Sequence, residues 1–189
     1  MTKTQYYTAT TIDGYIADEQ NGLGWLFSAE QPAEEDDRWE KFFAGVGAMV
    51  CGSTTYEWVI EQASLLDNPQ RWQEFYADRP TWVFTHRDLP VVPGADVRFV
   101  RDDVATVHGE MVEAAGDRNV WIIGGGDLVG QFDDAGLLDE IVLGVAPVTL
   151  GAGAPVLPRR IEKRLALQEA SASGGFAFLR YAVDRRSPA

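Results

Sequence analysis

Metal-ligating and thiol side chains are scarce in this 189-residue chain, which has one cysteine and two histidines. Cys51 alone cannot close an intrachain disulfide, which suits a reducing compartment and makes a cytoplasmic location the expectation. With His86 and His108 it offers too few ligands for an ordinary zinc site, so no metal is expected. Positive charge is short as well: 16 Lys and Arg face 29 Asp and Glu, a formal charge of −13. Such a surface repels phosphate backbones and anionic bilayers, so neither nucleic acid nor membrane is an expected partner. The longest uncharged run, residues 141–158, is broken by Gly144, Pro147, Gly151, Gly153 and Pro155 and reads as strand plus turn rather than a span. The opening MTKTQYYTATTID has no apolar stretch of the signal-peptide kind. No GxSxG elbow and no GxxxxGK[ST] loop occurs, and the paired HxE and CxxC zinc signature is missing, since the single cysteine leaves no CxxC. An organic cofactor, carboxylate acid–base chemistry or plain binding is what these absences leave.

What is present is an ordinary globular mixture, 46% hydrophobic and 24% charged, read as one domain over residues 1–189 and long enough to bury ~70% of its unfolded surface. Apolar, β-rich runs fall at residues 5–11, 15–17, 46–51, 81–84, 97–100, 120–123 and 140–148. Helical patterns run from an acidic start at 32–37 to about 44, through Tyr56 and Trp58, over 68–76, up to Ala115 before Gly116, and over 127–135. Residues 165–171 and 176–183 form a hairpin around Gly174-Gly175. Apolar strands alternating with amphipathic helices predict a mostly parallel sheet covered on both faces and finished by antiparallel strands.

Three strand exits carry chemistry. In VWIIGGGDLVGQF (120–132) a buried strand ends in three glycines and a helix begins at once. Glycine lets backbone approach a ligand, and a helix N-terminus offers free N–H groups and partial positive charge, which together hold a pyrophosphate. A tight turn without ligand fits the same residues. CGSTTYE (51–57) repeats the plan with hydroxyls that could also cap the helix, and WVFTHRD (82–88) delivers Thr85, His86 and Arg87 at one exit. In an open α/β sheet, ligands gather beyond the carboxyl ends of the strands, so the three exits could line one groove. The acidic run Glu34–Asp37 complements a helix dipole before it argues for catalysis.

Four segments in order, TATTIDGYIAD, CGSTTYE, VFTHRD and IIGGGDLVGQF…LLDEIVLGVAPVTLGAG, resemble the dihydrofolate reductase-like family, in particular its bacterial deaminase–reductase C-terminal branch of riboflavin biosynthesis. The resemblance covers nearly the whole chain. It implies a three-layer α/β/α fold, a homodimer, and NADPH-dependent hydride transfer to a C=N or C=O bond of a ribosylamino-pyrimidine or pterin-like ring. Dihydrofolate reduction, and nucleotide binding without turnover, are the alternatives. By the same resemblance Ala9 and Ile16 lie near the nicotinamide, Gly52, Ser53, Thr54 and Thr55 with Gly124, Gly125, Gly126, Asp127, Leu128 and Val129 at the phosphates, and Thr85, His86 and Arg87 at the adenosine ribose. It also implies a cis peptide between Gly124 and Gly125. Tyr7, Trp25, Asp36, Phe42 and Arg79 are the substrate candidates, with Asp36 the one candidate for catalysis. Two positions depart from the family pattern: Gly144 stands where a threonine would orient the carboxylate, and Ser53 where an arginine would meet phosphate. Trp39 and Phe43 are expected in the core, and Cys51 as a small packing residue.

Overall fold

The computed structural model describes residues 1–162 and 164–184. In chain order the elements are β1 (Thr4–Thr11), β2 (Tyr15–Ala17), α1 (Gly24–Ser28), α2 (Arg38–Ala44), β3 (Val46–Gly52), α3 (Ser53–Gln62), α4 (Gln70–Tyr76), β4 (Thr81–Phe84) and β5 (Val97–Val100). They continue with α5 (Val104–Ala115), β6 (Asn119–Gly124), α6 (Gly126–Asp134), β7 (Glu140–Ala146), β8 (Ala154–Pro155), β9 (Leu165–Ser173) and β10 (Phe176–Val183). Eight strands form one sheet in the order β5-β4-β3-β6-β1-β7-β10-β9. The strands from β5 through β7 pair in parallel, and β10 joins β7 and β9 antiparallel.

Side-chain alternation along the central strands sends apolar groups to both faces, which is why these runs read as continuously hydrophobic. On β3, Ala48 and Val50 join the layer of α5 and α6, through Val107, Met111, Val129 and Phe132. Met49 and Cys51 join the opposite layer, through Phe42 of α2, Tyr56 and Ile60 of α3 and Trp72 of α4. The result is the three-layer dihydrofolate reductase-like fold. Asp103 caps α5 by accepting the Thr106 N–H at 2.9 Å, and Gly116 ends the helix with φ +62°.

Three local differences from the sequence reading bear on the site. Helix α2 starts at Arg38, so Asp36 lies in the turn before it. A five-residue helix, α1, follows the 18–24 loop without caps to announce it. Strand β8, two residues long, pairs with β2 and forms a small second sheet beside the main one.

Candidate active site

Strands β3 and β6 are neighbours, with Cys51 opposite Gly124 in register. From β3 the sheet continues through β4 and β5 to one edge, while β6 leads by way of α6 to β7 on the far side of β1. Connections diverging from adjacent strands open a crevice at their carboxyl ends. A cavity of about 930 Å³ lies there.

Its middle is backbone. Gly52 and Gly125 are the N-caps of α3 and α6, both in extended conformation (φ −83°, ψ 165° and φ −94°, ψ −177°), and neither helix has a side-chain cap. Ser53, Thr54 and Thr55 line the cavity instead of capping α3. Two helix starts therefore present uncapped N–H groups to one space. The Gly124–Gly125 peptide is cis. A Cβ at Gly52 or Gly125 would find no atom nearer than 4.0 Å, so each glycine faces open space. Gly126 differs: a Cβ there would stand 2.3 Å from the Pro155 carbonyl oxygen, so this glycine lets α6 pack against β8. Ala9, Ile16, Asp127 and Leu128 complete this wall, while Val129 is fully buried in the core beneath it.

Beyond Phe84, the last cavity residue of β4, the chain leaves the wall. Thr85 is buried and its Oγ1 accepts the Arg87 N–H at 3.0 Å. Arg87 is exposed and donates from both terminal nitrogens to Glu57, at 2.9 and 2.5 Å. His86 is exposed beside it.

The other end of the cavity is built of side chains: Tyr7, Arg38, Trp39, Trp121, Phe176 and Phe178. Asp36 lines it too, with its side chain 8% exposed. The Arg38 Nε donates to both of its oxygens, at 2.7 and 2.9 Å, and the Ser173 hydroxyl adds another bond. The Arg38 and Ser173 bonds hold the Asp36 carboxyl ionised, its pKa drawn down to about 2. Arg38 in turn donates to Ser171 at 2.9 Å and lies 3.9 Å over the Phe178 ring. Asp36 is thus held by α2 and β9 rather than from β7, where a Cβ on Gly144 would meet Phe178 at 3.1 Å. The Tyr7 hydroxyl, by contrast, has no hydrogen-bond partner among the described residues. Burial raises its pKa, the Arg38 charge opposes that rise and the Asp36 charge adds to it.

Seven sequence candidates lie off the cavity wall or behind it: Thr85, His86 and Arg87, past Phe84, and four more. Phe42 sits edge-on beneath Tyr7 at 4.6 Å, and its neighbour Trp39, expected in the core, takes the wall. Trp25 packs with Ala146, Phe176 and Phe178, leaving Leu23 and Leu26 to face the cavity. Arg79 is turned inward, donating to the carbonyls of Val46, Phe43 and Tyr76 at 2.9 to 3.2 Å and lying 3.7 Å over the Phe43 ring. Val129 is the fourth, on the core face of α6. Arg38 was missed in the sequence; its signal is the Asp-x-Arg spacing, ambiguous within an acidic run. Trp121 was missed because it stands in a strand apolar throughout.

A model of the RibD C-terminal domain family matches residues 2–174. Over 154 residues the chain is 30% identical to YwjB of Bacillus subtilis (strain 168), an uncharacterized protein, with 82% of each covered. A Shewanella sp. PV-4 protein provisionally described as a riboflavin biosynthesis protein superposes with a TM-score of 0.75 at 23% identity, over 96% of this chain and 99% of that one. The Thermotoga maritima diaminohydroxyphosphoribosylaminopyrimidine deaminase/5-amino-6-(5-phosphoribosylamino)uracil reductase gives 0.64 at 18% identity, over 96% of this chain but 56% of that one. Dihydrofolate reductase from Enterococcus faecalis, solved with NADP(H), gives 0.57 at 16% identity, over 96% of each. The likeness to these three structures is one of fold.

Proposed function

The chain belongs to the RibD C-terminal domain family, a reductase-like family of riboflavin biosynthesis, and on that premise we propose that it is an NADPH-dependent reductase of a ribosylamino-pyrimidine or pterin-like ring. One observation carries this reading: two glycine-capped helix starts, α3 and α6, open side by side into one cavity with no side chain closing either. The cradle fits a dinucleotide diphosphate, since a Cβ at Gly52 or Gly125 would project into the space the phosphates need. Ser53, Thr54 and Thr55 add hydroxyl donors on one side, and the N–H groups of α6 serve the other. Ala9 and Ile16 then flank the nicotinamide, which supplies the hydride when bound.

The side-chain end does the rest. Trp39, Trp121, Phe176 and Phe178 give a flat ring apolar walls and exclude water from the transfer. Reduction of C=N or C=O also needs a proton on the nitrogen or oxygen. Asp36 stays ionised down to about pH 2 and cannot provide it at neutral pH. Burial, the largest influence, raises the Tyr7 pKa and keeps its hydroxyl protonated; it faces no acceptor among the described residues, and the nearby Arg38 charge offsets part of the cost of the phenolate left behind. Tyr7 is therefore the proton donor, with solvent restoring its proton. Asp36 and Arg38 together present an acceptor and a donor to the ring edge.

The test is oxidation of NADPH with two substrates, 5-amino-6-(5-phosphoribosylamino)uracil and 7,8-dihydrofolate, each alone. Turnover of either is expected. Saturable NADPH binding without turnover of either would make the protein a nucleotide binder and overturn the reading.

A further inference from the structure

We propose that Glu57 sets the choice between the phosphorylated and unphosphorylated nicotinamide cofactors, by occupying the guanidinium fork that a ribose 2′-phosphate needs. This rests on the cofactor reading above. With the diphosphate at the starts of α3 and α6 and the nicotinamide toward Ala9 on β1, the adenosine half leaves on the other side of β3 and β6, toward β4 and Phe84, the lining residue nearest in sequence to Arg87, which stands with Glu57 just outside the lining. Three residues after Phe84 stands Arg87. The buried Thr85 fixes that turn through its bond to the Arg87 N–H, so Arg87 is aimed back at α3. Glu57 stands there, one helical turn after Ser53, on the same face.

The geometry of the pair makes it a selector. Both terminal nitrogens of Arg87 engage both carboxylate oxygens of Glu57, the two-pronged arrangement in which arginine also grips phosphate. The neighbouring carboxylate, Asp88, is bound by Arg101 at 3.0 Å, so Glu57 is the acid that Arg87 meets. A 2′-phosphate must displace Glu57 and then sits beside an unpaired carboxylate of like charge. An unphosphorylated ribose meets a carboxylate, the acceptor that suits its hydroxyl. The pair is exposed, 56% at Arg87 and 38% at Glu57, so displacement is feasible and the wild type prefers NADPH only modestly.

NADPH and NADH are titrated separately, by quenching of tryptophan fluorescence, into wild type, Glu57→Gln, Arg87→Ala and the double variant. Glu57→Gln is expected to tighten NADPH roughly 10-fold with little change for NADH, Arg87→Ala to weaken NADPH by a similar factor, and Glu57→Gln to do nothing once Arg87 is gone. Equal effects of Glu57→Gln on both cofactors, no effect on NADPH, or an effect that persists without Arg87 would each overturn the inference while leaving the cofactor reading in place. Failure of the wild type to bind either cofactor would instead overturn that reading, and the inference with it.

Discussion

At the β3/β6 end of the cavity the wall is main chain, Gly52 and Gly125 heading two uncapped helices; at the β7/β10 end it is side chain, with Asp36, Arg38 and Phe178 holding one another beside Tyr7 and Trp39. On the proposed reading the first end would bind with groups every residue has, its specificity lying in what is missing, a Cβ. The second would bind with groups placed by partners far apart in sequence, such as Arg38 and Ser171. A backbone site is broken by adding atoms, and a side-chain site by removing them.

That contrast orders the substitutions. Gly126→Ala is expected to do the greatest damage, because the new methyl meets the Pro155 and Val156 carbonyl oxygens at 2.3 and 2.7 Å and neither is a flexible side chain. Thermal unfolding should show a loss of ~3 kcal/mol, the upper end for overpacking; a melting point within a degree of wild type would mean that β8 yields freely. Tyr7→Phe keeps the ring and its packing on Phe42 and Trp39, and should lower kcat ~10²-fold or more while NADPH affinity holds. A kcat within a few-fold of wild type would place the proton source elsewhere. Gly52→Ala sharpens the comparison from the backbone side: the fold has room for it, so stability should hold while NADPH binding weakens roughly 10-fold.

Asp36→Asn should matter least for turnover, less than ~10-fold, because a carboxyl held ionised is no acid at neutral pH. It should show instead in acid. The folded-state pKa is depressed, so the Asp36 contribution to stability is complete above the ordinary carboxyl range and is lost as pH falls from ~4 toward 2. Melting temperature against pH should therefore fall less steeply over that window in Asp36→Asn than in wild type. Identical acid limbs would show that the Arg38 pair does not survive in solution.

The same contrast explains what could be read in advance. VWIIGGGD and CGSTTYE announce strand, glycine and helix start within single short segments, so both helix starts were legible, while the pairing of β3 with β6 that brings them together is set by the sheet and was not. The aromatic end is written from Tyr7 to Phe178, and there the reading named the right neighbourhoods but several wrong side chains. Residues 39, 42 and 43 share one helical face, and which of them meets the cavity depends on how α2 rotates against Tyr7 and Trp121. Arg79 precedes a proline in a plausible place for a ligand contact, yet three carbonyls at the ends of α2, α4 and β3 claim it. Glu57 drew no notice because its meaning comes from Arg87, 30 residues away.

The central claim is that two uncapped helix starts hold a dinucleotide diphosphate, and a crystal structure with NADPH tests it most directly. The account predicts diphosphate oxygens within hydrogen-bond distance of main-chain N–H groups at the starts of both α3 and α6, with the nicotinamide beside Ala9 and Ile16. A diphosphate seated away from both glycine turns, or bound by side chains alone, would contradict it.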